Sequence, residues 1–425
     1  MNILFKFLII WYSLKIRMGR IIFELSPQLI QNMRWWKLKR KHLRHSSFYN
    51  TLVNSSTELK DFPQIDKTIF MEEFNQINTH GVTLEEASKV LMKSEEDRDF
   101  TPEINQVTLG LSSGTSGNIG IFMASKKERA IWVAAVLNRV IGWSLKHRKV
   151  AFFLRANSNL YESIGSRILS FNYFDILKPM EVHIETLNAL QPDIVVGQPS
   201  LLKLLAQSKE RGELLVDPNK IISVAEVLTI DDKVYLEDVF HQKIHQVYQC
   251  TEGFLAYTCK VGTLHLNEDF IHFEKHYVDK KRFNPIVTDL LRGTQPVIRY
   301  LLNDILIEGD KCSCGSSMMT IESIEGRMDD VFIIETTLGN MRNLFPDILR
   351  RKIVGANKEI NEYQIIQISS NEISLLIKPE EYYQDAESSL HELFKKMDLI
   401  NIIITKTRYI YHENGSKFRR VIRRC

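Results

Sequence analysis

The chain has 425 residues, enough for two or three domains of about 150 residues each. It is 44% hydrophobic and 25% charged, a globular balance that excludes a disordered, collagen-like or disulfide-stapled chain. Lys and Arg (55) nearly match Asp and Glu (52), and the bases concentrate at the two ends: residues 1–45 hold ten against the single acid Glu24, and residues 406–425 hold seven against Glu413. Such a split distribution excludes nucleic acid as the expected partner.

The opening run Ile3-Leu4-Phe5-Lys6-Phe7-Leu8-Ile9-Ile10-Trp11-Tyr12 is interrupted by Lys6. No run reaches the roughly 18 apolar residues of a membrane span. The run reads as an amphipathic helix docked on the protein's own body, with peripheral membrane contact through residues 1–20 as the alternative. Residues 1–60 as a whole read as helical, with Trp35 and Trp36 entering the core while Lys37, Lys39, Arg40 and Lys41 stay in water. Asp61-Phe62-Pro63 punctuates the chain.

From about 107 to 300, short apolar runs alternate with amphipathic ones. Val150–Leu154, Ile194–Gly197, Ile221–Ala225 and Ile244–Tyr248 read as strands, and Ser200–Glu210 as a helix. Strand, turn and helix in repetition predict an α/β fold with substantial parallel sheet. Residues 260–310 turn β-rich. After Gly326 the text predicts a strand at Val331–Glu335, a helix at Asn343–Arg351, a hairpin from Gln364–Ile368 and Ile373–Ile377, a helix at Ala386–Met397 and a strand at Ile400–Thr405. The expectation is a helical segment over 1–60, a large α/β domain with mixed sheets over 61–326, and a small mobile C-terminal α+β domain over 327–425.

The densest chemical signal is Leu111-Ser112-Ser113-Gly114-Thr115-Ser116-Gly117-Asn118-Ile119-Gly120. Three glycines and four hydroxyl residues allow a tight turn whose N–H and hydroxyl groups approach a polyphosphate. The segment joins Val107–Leu111 to Ile121-Phe122-Met123 and holds no lysine, which separates it from a Walker loop. Val247-Tyr248-Gln249-Cys250-Thr251-Glu252-Gly253 ends a strand, where open α/β sheets bind ligands. There Tyr248 can stack on a purine, Thr251 can bond a phosphate oxygen and Glu252 can hold Mg²⁺. Asp304, after Val297–Asn303, is a natural acceptor for ribose hydroxyls. Gly326-Arg327-Met328-Asp329-Asp330 is a hinge candidate, and Lys417 in Gly415–Arg420 a candidate for a phosphoryl transition state.

Five cysteines in this length make no disulfide framework and point to a reducing, cytoplasmic compartment. Cys259, His265, Cys312 and Cys314 offer three thiolates and an imidazole, a closed tetrahedral set for structural Zn²⁺ within the β-rich part at about 255–325. The alternative reading buries each cysteine as a small hydrophobe.

These motifs, in this order, resemble the adenylate-forming superfamily of acyl- and aryl-CoA ligases and nonribosomal adenylation domains. The wording is most similar to its phenylacetate–CoA ligase-like branch, in particular coenzyme F (deazaflavin) synthetase-related proteins. Asp66-Lys67, Phe74–Gly81, Thr251–Gly253 with Leu264–Asp269, and Thr294-Gln295-Pro296 before Arg299-Tyr300 carry that likeness. The resemblance implies ATP-dependent adenylylation of a small-molecule carboxylate or hydroxyl with release of pyrophosphate. Ser112–Gly117 would hold the β- and γ-phosphates and Thr251 the α-phosphate. Glu252 would hold Mg²⁺, Tyr248 with Gln249 would meet adenine, and Asp304 with Arg327 the ribose. Lys417 would meet the developing charge after closure about Asp329–Asp330. Gly197–Ser200 and Ala225-Glu226 are candidates for the acceptor pocket. Full CoA ligation is the alternative, with CoA as a further ligand. A zinc-stabilised binding protein without catalysis is another, motivated by Asn118-Ile119-Gly120-Ile121 where the superfamily often has Pro-Lys. A homodimer is compatible with the branch.

Overall fold

The computed structural model describes residues 3–53, 57–97, 102–111, 120–144, 146–154, 169–399, 402–407 and 419–425. They form two compact units: residues 1–302 with 307–323, and residues 303–306 with 324–425.

The first unit opens with α1 (Ile3–Leu25) and α2 (Pro27–Lys41). Phe5, Ile9, Ile16 and Phe23 fall on one face of α1 and are buried. Polar contacts fix the docking. Arg17 Nε donates to Asn138 Oδ1 at 2.7 Å, and the Ser316 and Ser317 hydroxyls donate to Glu24 at 2.7 Å. The helix thus docks on the protein's own body, as its pattern predicts. The two tryptophans of α2 divide, contrary to expectation. Trp35 meets Phe62 edge-on at 5.1 Å, whereas Trp36 stays exposed beneath Arg40. Lys39, expected in water, is buried with its ammonium donating to the Thr57 carbonyl at 2.7 Å. Consecutive helix positions diverge by about 100°, so one face cannot bury both rings. Among the described residues no helix is long and apolar enough to cross a membrane.

Short helices α3 (Lys67–Glu72), α4 (Phe74–Ile77) and α5 (Leu84–Asp97) lead to an antiparallel sheet of β1 (Glu103–Ile104), β2 (Val107–Leu111) and β3 (Ile121–Ser125). Phe74, Leu91, Val107, Leu109 and Met123 share one core there. α6 (Lys126–Val136) follows β3 through a capping box in which Ser125 and Glu128 satisfy each other's backbone N–H.

The central sheet begins with β4 (Arg148–Leu154) and β5 (Leu169–Asp175). Then α7 (Met180–Leu190), β6 (Ile194–Gly197), α8 (Pro199–Glu210), β7 (Lys220–Ser223), α9 (Ile230–Phe240) and β8 (Ile244–Cys250) alternate. The order β5-β4-β6-β7-β8 is parallel throughout. β6 is buried at every position, the pattern of a strand covered on both faces. Phe153, Leu187, Leu202, Ile221 and Leu236 join strands to helices in one core.

β8 is the seam where parallel pairing turns antiparallel. β9 (Gly253–Thr258) folds back on it, followed by β10 (Leu264–Leu266), β11 (Ile271–Tyr277), β12 (Arg282–Asp289), β13 (Tyr300–Leu301), β14 (Asp304–Glu308) and β15 (Thr320–Arg327). The result is a 12-stranded mixed sheet ordered β11-β12-β14-β15-β10-β9-β8-β7-β6-β4-β5, with β13 on β12.

The second unit contains β16 (Phe332–Glu335), β17 (Met341–Leu344), α10 (Pro346–Ala356), β18 (Glu362–Gln367), β19 (Glu372–Lys378), α11 (Tyr383–Lys396), β20 (Ile403–Lys406) and β21 (Val421–Arg423). Its sheet runs β20-β19-β18-β21, antiparallel at the centre and parallel outside. Phe332, Leu349, Ile353, Leu375 and Leu390 fill the core. Asn343 and Leu344, expected to open a helix, end a strand instead. Phe345 precedes Pro346 and is extended (φ −72°, ψ 146°), because a residue before proline disfavours the helical region.

Candidate functional site

Ser112, Ser113, Gly114, Thr115, Ser116 and Gly117 lie outside the described residues. The strands they connect are described: β2 and β3 pair antiparallel with Leu111 opposite Ile121. Among the described residues β3 has a strand neighbour on one side only. On its open edge the fully buried Gln295 takes the place of a neighbouring peptide. Its Oε1 accepts the Met123 N–H at 3.0 Å and its Nε2 donates to the Ile121 carbonyl at 3.1 Å. Such an amide quiets an edge that would otherwise seek a strand. Arg292 Nη2 donates to the same Gln295 oxygen at 2.8 Å, and Arg292 Nη1 donates to the Thr251 carbonyl. Two side chains therefore tie the strand that leaves residues 112–119 to the turn bearing Glu252.

Glu128 of α6 reinforces this arrangement by accepting the Gly293 and Thr294 N–H groups at 2.6 and 2.8 Å. Burial would raise its carboxyl, but hydrogen bonds from Thr294 and Ser125 outweigh burial and hold it below the usual range.

At the end of β8 the register shifts between Tyr248 and Gln249, a local irregularity that re-aims side chains. Tyr248 is buried, while Gln249 points outward and accepts the Trp132 Nε1–H at 3.0 Å. Thr251 Oγ1 donates to Glu252 Oε2 at 3.0 Å. The buried Tyr300 hydroxyl also bonds the Glu252 carboxylate, and burial together with that charge pushes the phenol well above its ordinary range. Phe70 packs edge-on against Tyr300 at 5.4 Å. A Cβ on Gly253 would meet Ile271 Cδ1 at 3.0 Å and Asp289 Oδ2 at 3.6 Å. Burial lifts the Asp289 carboxyl to about 6. Arg292, Glu128, Asp289 and Tyr300 escaped the sequence reading as site residues. The one available signal was Gln295 and Tyr300 standing in the segments that carried the family likeness.

The acceptor candidates lie on the carboxyl edge of the parallel strands, with Gly197 opposite Ser223 and Ser223 opposite Gln246. The Val224 N–H donates to the Gly197 carbonyl at 3.0 Å, and Ser200 N lies 3.4 Å from Glu226 Oε2. The two segments are brought together. Between them Ala225 holds φ +68°, a conformation that costs a residue with a Cβ roughly 1 kcal/mol or more.

In the second unit, Arg327 Nε and Asp304 Oδ1 lie 3.8 Å apart. Gly326 holds φ +144°, which only glycine adopts readily. Asp330 is buried and paired with Arg419. Burial raises its carboxyl, opposed by the Arg419 charge. Lys417 lies outside the described residues.

Cys259, His265, Cys312 and Cys314 present donor atoms that all lie within 4.8 Å of one another. Cys259 Sγ and Cys312 Sγ are 3.7 Å apart, and Cys314 Sγ is 3.5 Å from His265 Nε2. Bonds of about 2.3 Å to sulfur and about 2.05 Å to nitrogen, at tetrahedral angles, give edges of about 3.8 and 3.6 Å. The donor set therefore fits a zinc-sized ion. His265 Nδ1 faces the Met318 carbonyl at 3.2 Å, which leaves Nε2 turned toward the sulfurs. The Cys314 N–H donates to Cys312 Sγ at 3.4 Å.

No family model matches the chain. Two curated proteins match parts of it. An indoleacetate–lysine synthetase from Pseudomonas savastanoi is 24% identical over 222 residues, 48% of this chain and 55% of the synthetase. A fumarate–(S)-2,3-diaminopropanoate ligase from Enterobacter agglomerans is 26% identical over 171 residues, 35% and 39%. The match thus spans about half the length of the first and less of the second. Among solved structures, a 2-hydroxyisobutyryl-CoA ligase in the postadenylation state superposes with a TM-score of 0.64 at 16% identity, covering 93% of this chain and 88% of that one. Fatty acyl-adenylate ligases from E. coli and L. pneumophila give a TM-score of 0.53 at 11% identity, covering 72% and 68%. The chain therefore has the adenylate-forming ligase fold, a large mixed α/β domain followed by a smaller C-terminal one.

Proposed function

We propose that this protein activates a small carboxylic acid with ATP, releases pyrophosphate, and passes the acyl group from the adenylate to a thiol, with CoA as the acceptor. The observation that carries the reading is the Gln295–Arg292–Thr251 chain of hydrogen bonds, which joins the strand leaving the glycine- and hydroxyl-rich segment to the turn with Glu252. In the first step a substrate carboxylate oxygen attacks the α-phosphorus, and the bond to pyrophosphate breaks with its electron pair on the leaving group. In the second, the thiol sulfur attacks the acyl carbon and AMP departs. Such chemistry needs positioning and charge stabilisation rather than an enzyme nucleophile.

Ser112–Gly117 are assigned to the β- and γ-phosphates, Thr251 to the α-phosphate, and Glu252, oriented by Tyr300, to Mg²⁺, which neutralises charge on the pyrophosphate. Tyr248 and Gln249 are assigned to the base, Asp304 and Arg327 to the ribose, and Lys417 to the developing charge. Cys259, His265, Cys312 and Cys314 would hold a structural Zn²⁺ with no open coordination position.

The named relatives favour a carboxylate over a hydroxyl as the group activated, because each is named for a carboxylic acid. They lend no support to the coenzyme F reading. The 2-hydroxyisobutyryl-CoA ligase favours the thiol acceptor. The two curated relatives, named for joining an acid to an amino acid, motivate an amine as second reading. An ATP–pyrophosphate exchange screen over hydroxy acids, aryl acids, fatty acids and hydroxylated flavin-like compounds tests the first step. Exchange with an acid, followed by AMP release on adding CoA, is the expected result. AMP release with amines but not CoA selects the second reading. Absence of exchange with every acid, together with no ATP binding by calorimetry, refutes both.

A further inference from the structure

One face of α1 is buried, yet Leu4, Phe7, Ile10, Trp11, Leu14, Met18, Ile21 and Leu25 are all at least half exposed. At about 100° per residue they fall within an arc of roughly 120°, opposite Ile9 and Ile16, and form a stripe about 32 Å long. Single exposed apolar residues are ordinary; a contiguous stripe of this size marks a surface that meets something. Its borders are cationic. Lys15 lies on one side, stacked over Trp11 at 4.5 Å, and Lys6 and Arg17 lie on the other. The only acid of α1, Glu24, is taken up by Arg20, Ser316 and Ser317. Lys37 of α2 is exposed, and its ammonium, shifted down first by burial, also feels Lys15, so a further base stands near that border.

We infer that the exposed face of α1 lies on a phospholipid surface carrying anionic headgroups, with Phe7, Trp11, Leu14 and Met18 among the acyl chains and the flanking bases at the headgroups. A second copy of the same helix fits less well. A coiled-coil seam is narrower than this arc and takes opposite charges along its borders, whereas two such stripes would set lysine and arginine against each other. An apolar face with aromatics, bordered by bases, is the composition of an interfacial helix. The inference is independent of the proposed activity.

The test is flotation of the intact protein with phosphatidylcholine vesicles, with and without about 30% phosphatidylserine. Binding to the anionic vesicles should exceed binding to the neutral ones about tenfold or more and weaken with salt. The double variant F7S/W11S, altered only at exposed positions, should lose at least about tenfold while its circular dichroism is unchanged. Lys6→Glu with Lys15→Glu should lose a comparable factor. Equal binding to both vesicle types, or anionic binding indifferent to F7S/W11S, overturns the inference. So does a lipid-free dimer in sedimentation equilibrium that F7S/W11S converts to monomer, since a second copy would then cover the stripe.

Discussion

Replacing Gln295 by leucine keeps the side chain's approximate volume and removes three hydrogen bonds at once. The Met123 N–H, the Ile121 carbonyl and the Arg292 guanidinium each lose a partner. A buried group left unpaired costs about 1–3 kcal/mol. Arg292 keeps its bond to the Thr251 carbonyl, so its share is partial, and the total comes to about 4 kcal/mol. That is roughly a thousandfold in the equilibrium for local opening. Hydrogen exchange at the Met123 amide reads it directly, with protection expected to fall by about that factor. Glutamate at the same position keeps both acceptor roles but sets its second, acceptor-only oxygen against the Ile121 carbonyl, with the Arg292 charge offsetting part of the burial, so Gln295→Glu should cost about 1–3 kcal/mol. If β3 also anchors a phosphate-holding segment, Gln295→Leu should raise the KM for ATP more than it lowers kcat. Wild-type exchange protection at Met123 in the leucine variant would refute the claim that this amide substitutes for a missing strand.

Glu252→Gln should lower acid-dependent pyrophosphate exchange by about a hundredfold or more at saturating Mg²⁺, and Tyr300→Phe by about tenfold, measured as kcat/KM. Unchanged exchange in Glu252→Gln would remove that carboxylate from the mechanism. Elemental analysis should find one zinc for each chain, lost in Cys259→Ser, with a chelator lowering the unfolding midpoint of the wild type but not of the variant. Asp289 supplies a pH test. Its folded carboxyl titrates near 6 against 3.8 for the free group, so the folded state holds the extra proton between those values. Its contribution to stability is therefore greatest below about pH 4 and declines as pH rises toward 6, by about 3 kcal/mol at most. In urea titrations, the stability of Asp289→Asn relative to wild type should rise across that interval and level off above it. A flat difference would contradict the burial argument.

The parallel sheet was legible because its strands are covered on both faces. Ile194–Gly197 and Ile221-Ile222 are apolar and buried for that reason, and their shortness between helical patterns favours strands. The cluster of three cysteines and His265 was legible because Cys-x-Cys needs only a tight turn to aim both sulfurs at one point. Trp36 and Lys39 depart from expectation because adjacent helix positions face about 100° apart, and a helical pattern alone does not say which face the body of the protein covers.

The linkage through residues 292–300 was hidden for a different reason. Arg292 and Gln295 are polar, stand in a turn-rich stretch, and meet partners as far away as Met123, 172 positions earlier; no local periodicity encodes such a bond. Yet the stretch has a logic once its contacts are known. Arg292 holds the Thr251 carbonyl, Gln295 closes the edge of β3, and Tyr300 orients Glu252. Gly293 and Thr294 are meanwhile clamped by Glu128. Nine consecutive residues thus fix the spacing between the strand leaving residues 112–119 and the acidic turn at 252. Inserting one glycine between Gln295 and Tyr300 should therefore impair ATP affinity and Mg²⁺ dependence together. An insertion in the exposed turn at Asp279–Lys281 should leave both unchanged.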